Sequence, residues 1–308
     1  MMNKKQLSWI AVIFILIAMS FFLYTPDISL DEIKSRYTNG ESLFTSIQGM
    51  NVHYRREGKG PTLLLIHGTA ASLHTWDDWT RSLSSEFEIV RMDLPAFGIT
   101  GPRPDRNYSM SNYVSFIKEF VDQQAIDTFY LAGNSLGGAI AWNYTIEYPG
   151  DVKKLVLLDP SGAPRNSDPP FIFRLANTPI LSSILKKVTP RSIIESNIQQ
   201  VYFDDNKITD ALIDRYYHMA LRAGNREAFV DRAQKRLTLP TARMKEIECP
   251  TLIQWGRHDE WIPVRDADFF QKNITNSQVI IYEKSGHVPM EEIPEVTSRD
   301  LQVFLLSE

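Results

Sequence analysis

Apolar residues along this chain fall into two rhythms. Short apolar runs, unbroken in Thr62-Leu63-Leu64-Leu65-Ile66 and concentrated toward the end of Val152 to Leu158, suit strands buried on both faces, because successive side chains point to opposite sides. Phe87 to Met92, Thr128 to Ala132, Thr251 to Trp255 and Gln278 to Tyr282 read the same way. Between them lie stretches with helical spacing: Trp76 to Ser85, Ala139 to Tyr148, Ala267 to Asn273 and Pro294 to Leu306. Tyr113 to Gln124 is the clearest, with Val114, Ile117, Phe120 and Val121 on one face. Ahead of these, Leu43 to Ile47 and Asn51 to Arg55 alternate around Gln48-Gly49-Met50, as an antiparallel hairpin would. Strands alternating with helices predict an α/β fold, a mostly parallel central sheet with right-handed crossovers and flanking helices.

The strand rhythm stops after Asp159-Pro160 and resumes only at Pro250. Ser161 to Pro170, rich in Pro, Ser and Asn, reads as a linker, and Phe171 to Lys235 shows helical periodicity alone. That middle stretch is expected to be a helical cap inserted over the sheet's C-terminal edge. The core then comprises residues 43–160 and 250–308, with the cap and its return linker over 161–249.

The N-terminus has a third pattern. Leu7 to Tyr24 is an uncharged apolar run, and as a helix its 18 residues would span about 27 Å, close to the ~30 Å hydrocarbon core of a bilayer. Trp9 and Tyr24 stand where aromatic belts form, and Lys4 and Lys5 precede the run. Residues 1–24 are therefore expected to be an uncleaved membrane anchor with the rest on the exported side. The competing reading is a cleaved signal, disfavoured because Phe21-Phe22 stands where small cleavage-site residues belong. Residues 25–42, polar and charged, are expected to form a stalk.

Composition narrows the picture modestly. A chain of 308 residues with net charge −4 suits one large domain and carries no basic footprint for nucleic acid. One cysteine, Cys249, precludes an internal disulfide and a cysteine-based zinc site. No His-x-x-x-His pair or EF-hand spacing points to a metal, and no glycine loop points to a nucleotide. No cofactor is implied, and the oligomeric state is not encoded legibly.

The candidate chemistry centres on Gly133-Asn134-Ser135-Leu136-Gly137-Gly138, between a strand and a helix. A serine on so tight a turn forces close approach by its neighbours two positions away, which only glycines allow. The turn also aims the helix N-terminus at the hydroxyl. Serine needs a base, and the base needs an orienting acid. Strand ends converge on one edge of a parallel sheet. There the chain offers Gly256-Arg257-His258-Asp259 after one strand and Ser285-Gly286-His287 after another. Nucleophile, acid, histidine is the order of α/β-hydrolases.

With His67-Gly68-Thr69, Asp93-Leu94-Pro95-Ala96-Phe97-Gly98 and Gly286-His287-Val288-Pro289, the chain resembles the α/β-hydrolase fold superfamily, and within it the capped esterases and lipases. The resemblance implies Ser135 as nucleophile, His287 as base and Asp259 as acid. It implies an oxyanion hole from the backbone amides of Thr69 and Leu136. His67, Gly68, Gly133 and Gly137 are then structural supports. Relatives sometimes place the acid after the preceding strand, where Asp159 stands, but Asp259 matches the motif. Asp93 reads as structural and His258 as a bystander. His53, His74 and His218 read as ordinary polar residues. Met219 and the pairs Phe171/Phe173 and Tyr216/Tyr217 are expected in the cap's core, some lining an acyl pocket. Ala96 departs from the glycine of many relatives.

The leading expectation is a serine hydrolase of carboxylic esters, with a small acyl ester as its partner molecule and the membrane as its support. A carbon–carbon bond hydrolase of ring-cleavage diketones competes, because Asn134 and Trp255-Gly256-Arg257 also resemble that group. A membrane-tethered binding protein of the same fold is the third reading. Dehalogenase and epoxide-hydrolase chemistry would need an aspartate in place of Ser135.

Overall fold

The computed structural model describes residues 24–164, 168–235 and 237–307. Eight strands form one sheet: β1 (Leu43–Ile47), β2 (Met50–Glu57), β3 (Thr62–Ile66), β4 (Glu88–Met92), β5 (Phe129–Asn134), β6 (Val152–Leu158), β7 (Thr251–Gly256) and β8 (Ser277–Tyr282). Their order is β1-β2-β4-β3-β5-β6-β7-β8. The β1–β2 hairpin pairs antiparallel and β2 meets β4 antiparallel; every other pairing is parallel.

Continuous apolar runs have the reason the sequence suggests. Leu64 and Ile66 pack on one face of the sheet, and Leu63 and Leu65 on the other. The first face is covered by α3 (Met110–Gln123) and α4 (Leu136–Glu147), through residues such as Phe116, Phe120, Ile140 and Tyr144. The second is covered by α2 (Asp77–Leu83) and α12 (Pro294–Leu306), through Trp79, Leu83, Leu301 and Phe304. Helix α3 starts three residues before Tyr113, because the Ser109 side chain accepts the Asn112 amide and caps it.

Among the described residues between β6 and β7 stand five α-helices: α5 (Phe171–Asn177), α6 (Pro179–Leu185), α7 (Arg191–Val201), α8 (Asp210–Leu221) and α9 (Asn225–Gln234). Among the described residues this segment contributes no strand to the sheet. Its own core gathers Ile172, Ala176, Leu185 and Val230, with Phe173 and Phe229 half-buried beside them. Phe171 is not cap core: it starts α5 and is exposed.

The expected stalk is instead a packed element. Residues Leu30–Tyr37 form α1, capped by Ser29, and Ile33 is fully buried against Ile99 and Met219. Ile28 bridges to Arg222 beside it. The charged residues of this segment made it look solvated, yet Ile33 has partners far away in the sequence. Among the described residues no helix is long and apolar enough to cross a membrane. The run where an anchor is expected lies outside the described residues, apart from Tyr24.

Candidate active site

Every group of interest hangs from the C-terminal edge of the sheet. Ser135 follows β5 and caps α4 with φ +55° and ψ −113°, a conformation few non-glycine residues adopt. What holds it there is packing and hydrogen bonding. The Ser135 amide donates to the Leu158 carbonyl (3.0 Å), and the Ser135 carbonyl accepts from Ser161 (3.0 Å). A Cβ on Gly133 would overlap the Gly137 carbonyl, and one on Gly137 would overlap the carbonyl of Ile66. A Cβ on Gly68 would press on Asn134 Oδ1 at 2.8 Å. The three glycines thus let β3, its loop and the elbow close on one another.

His287 follows β8, and its Nδ1–H donates to Asp259 Oδ2 at 2.6 Å. Asp259 Oδ1 accepts the amides of Trp261 (2.8 Å) and Ile262 (2.9 Å). Both side chains are buried. Three backbone or ring donors on one carboxylate fix its orientation and, through it, the imidazole.

The structure also brings Asp159 to this cluster. Fully buried, it accepts the Gly256 amide on Oδ1 (2.9 Å), and its φ is +44°. One of its carboxyl oxygens lies within 4.8 Å of Asp259 and of the His287 ring. Burial, reinforced by the Asp259 charge, pushes the Asp159 carboxyl well above the ordinary carboxylate range. These three are also the described residues whose ligand atoms could jointly hold a metal. Asp259, however, already spends both oxygens on protein donors.

The contacts make Asp259 the partner of His287, and the raised pKa of Asp159 has a measurable sign. A carboxyl whose folded-state pKa is raised contributes stability below its unfolded value, which is lost as pH climbs toward the folded value. Asp159→Asn removes that loss. Its stability advantage over the native chain should therefore grow as pH rises above the ordinary carboxylate range in urea unfolding. Ester turnover should change less than about tenfold, while Asp259→Asn should lose about 10⁴-fold. The reverse ranking of turnover would make Asp159 the acid.

His67 follows β3 and commits both ring nitrogens to backbone: Nδ1–H donates to the Gly68 carbonyl (2.7 Å), and Nε2 accepts the Leu94 amide (2.9 Å). Burial lowers its pKa and keeps it neutral, as those roles require. Asp93 is a second brace. It accepts the amides of Leu73 (2.7 Å) and Ile99 (2.8 Å) and the ring of His53 (2.8 Å). His53 is accordingly a buried partner rather than an ordinary polar residue, and His74 is buried as well. His218 pairs with Tyr37 (2.7 Å) on α1, and His258 stacks on Phe203 at 4.0 Å, away from His287.

Ser135, His287, Thr69 and Asn134 line one largely apolar cavity under the cap. Its walls include Ile172, Leu185, Ile194, Ile198, Phe229 and Trp261, with Met219 and Tyr216 among the expected cap residues. Leu136 opens α4 directly behind Ser135. Ala96 also lines the cavity and has φ +85°, which explains why glycine suits that position in relatives. Cys249 lies outside the cavity lining; burial raises its thiol pKa to about 11.

Two contributors escape sequence reading. Trp261 packs its ring 5.7 Å from that of His287. Glu292, buried, accepts Gly286 (2.7 Å) and Ser285 (3.0 Å) on one oxygen and Phe203 (2.9 Å) and Asp204 (2.8 Å) on the other. It therefore ties the histidine loop to the connection between α7 and α8 of the cap. A glutamate shortly after the histidine motif was the only available signal.

Comparison with known proteins agrees with this fold. Residues 61–294 match the model of the alpha/beta hydrolase fold family. The chain is 29% identical over 262 residues to monoacylglycerol lipase ABHD6 of Mus musculus, covering 82% of this chain and 77% of that one. The crystal structure of a bacterial membrane phospholipase A superposes with TM-score 0.74 at 25% identity over 98% of each chain. A meta-cleavage product hydrolase from Pseudomonas fluorescens IP01 superposes with TM-score 0.76, covering 87% of this chain and 98% of that one, at 22% identity.

Proposed function

The chain belongs to the α/β-hydrolase fold family, and from that membership we propose that it is a serine hydrolase of carboxylic esters working through an acyl-enzyme. The observation that carries this reading is His287, paired with Asp259 at 2.6 Å, lining one apolar cavity with the strained Ser135. His287 Nε2 takes the Ser135 proton as Oγ attacks the ester carbonyl carbon. The negative charge that develops on the carbonyl oxygen is received by the amides of Leu136 and Thr69. The first N–H groups of a helix have no partner within it, so the Leu136 amide is free to serve. Collapse of the tetrahedral intermediate expels the alcohol, which takes the proton back from His287. Water, deprotonated by the same ring, then releases the acid. Each oxyanion donor is worth about 3 kcal/mol in such sites.

The lipase and phospholipase relatives support an acyl ester as substrate, and the apolar cavity wall supports an acyl chain beside Ser135. Filling that wall should shorten the chain accepted. Ile194→Phe is expected to lower kcat/KM for p-nitrophenyl octanoate about tenfold and to change that for the acetate less than about twofold. Equal losses on both esters would remove Ile194 from the acyl site.

Asn134 does not favour the carbon–carbon reading. Its amide donates to the His287 carbonyl (3.0 Å) and the Leu158 carbonyl (3.3 Å). Tying two loops together accounts for the residue without ring-cleavage chemistry. The meta-cleavage hydrolase shares the fold alone. A pure binding protein would need neither the strain at Ser135 nor the oriented His287.

We also infer that Leu7 to Tyr24 anchors the chain in a membrane with the catalytic domain exported. The length and uncharged character of the run support this, and so does the likeness along the whole chain to a membrane phospholipase.

A further inference from the structure

Helices α5 and α6 form a thin wall. On the inner side Ile172 and Leu185 line the cavity. On the outer side four large apolar side chains face solvent: Phe171 at 54% exposure, Ile180 at 74%, Leu181 at 40% and Ile184 at 49%. Ile180 and Ile184 stand four residues apart and so share one face of α6. Such a cluster is costly in water and marks a contact surface.

The position of the N-terminus indicates what covers it. The Thr25 amide donates to the Lys187 carbonyl (2.9 Å), and the Thr189 amide donates to Thr25 Oγ1 (3.1 Å). Arg226 adds a bond to the Thr25 carbonyl (2.8 Å). The chain is thus pinned just past the C-terminal end of α6, three residues from Ile184 in sequence terms. What precedes Thr25 is the apolar run Leu7 to Tyr24. A bilayer that holds this run lies beside α6. Lys186 follows the apolar face at that same end, where it suits an anionic headgroup, while Lys187 pairs with Glu227 at 3.8 Å.

We propose that the outer face of α6, with Phe171 of α5, rests in the interfacial layer of the bilayer that holds the N-terminal run, so that the cap takes acyl esters directly from lipid. This rests on the anchor and ester readings given above. The apolar face matches an element lying on a membrane, with its hydrophobic side chains entering the headgroup–acyl boundary. It also places the cavity wall between lipid and Ser135.

The test uses the full chain in vesicles of phosphatidylcholine and phosphatidylglycerol. With Cys249→Ser as background, Ile180→Cys carries an environment-sensitive fluorophore. Val303→Cys serves as control: it lies on α12 near Phe304, whose carbonyl binds Lys154 at the start of β6, the edge away from the cap. Brominated lipid should quench the label at 180 about twofold or more and leave that at 303 unchanged. Independently, Ile180→Ser/Ile184→Ser should keep soluble p-nitrophenyl acetate turnover and lose about tenfold on monoacylglycerol held in vesicles. No quenching at 180 overturns the proposal, as does a label shielded from water but untouched by brominated lipid, which would mean a protein covers the face. The hydrolase reading is judged separately, by soluble-ester turnover in the same samples: quenching without turnover sinks the ester reading alone.

Discussion

Replacing Ser135 by alanine is expected to remove ester hydrolysis, by about 10⁴-fold or more in kcat, while leaving the fold in place. The two halves of that expectation come from different links in the chain. The loss follows from chemistry. In the proposed mechanism Ser135 Oγ is the atom that forms the acyl bond, so without it His287 has no nucleophile to activate. The preserved fold follows from the elbow's construction. It is held by the Ser135 amide on Leu158, the Ser135 carbonyl on Ser161 and the close-packed glycines, none of which involves the hydroxyl. Turnover of p-nitrophenyl esters and the urea midpoint, measured on the same preparation, separate the two. Wild-type turnover in the variant would sink the assignment of Ser135. A collapsed midpoint would instead show that the hydroxyl helps build the turn.

Gly137→Ala should have the largest effect on stability. Helix propensity alone would make the change favourable by about 1 kcal/mol. Packing decides otherwise. The added Cβ would overlap the carbonyl oxygens of Ile66 and His67, which belong to the end of β3 and to the loop carrying Thr69. Backbone on both sides cannot swing aside as a flexible side chain would. The elbow helix must then back away from the sheet, at a cost of about 3 kcal/mol. Gly150→Ala is the matched control, since nothing lies within 4 Å of its added Cβ. Urea midpoints should fall for the first and hold or rise for the second. Equal midpoints would mean that the elbow has room the structure does not show.

Much of this molecule was legible in the sequence, for a physical reason. A stretch of strand buried on both faces is mostly apolar, so β3, the Leu155–Leu158 half of β6 and most of β7 announce themselves. Their ends lie at one edge of a parallel sheet, so Ser135, Asp259 and His287 could be brought together before any coordinates. Asp93 could be set aside as structural because a proline turn follows it. What stayed hidden depends on partners remote in the chain. Ile33 looks like one apolar residue in a charged stretch until Ile99 and Met219 arrive to bury it. His53 looks like an ordinary polar residue until β2 meets β4 and lays it against Asp93. Phe171 illustrates a different gap. Helical spacing with apolar residues on both sides of a short helix does not reveal which side faces the core, and α5 turns Phe171 outward. Asp159 reads in the sequence as a disfavoured alternative acid; its place beside Asp259 and His287 needs the geometry of three strand ends at once.

The central claim is that Ser135 is an activated nucleophile, and covalent labelling reads it most directly. The full-length chain is treated with a fluorophosphonate and digested, and the modified peptide is located by mass spectrometry. A single adduct on Ser135, absent in Ser135→Ala and formed far more slowly in His287→Ala, is the predicted result. An adduct on a different side chain, or ester turnover by a chain that Ser135 labelling leaves untouched, would contradict it.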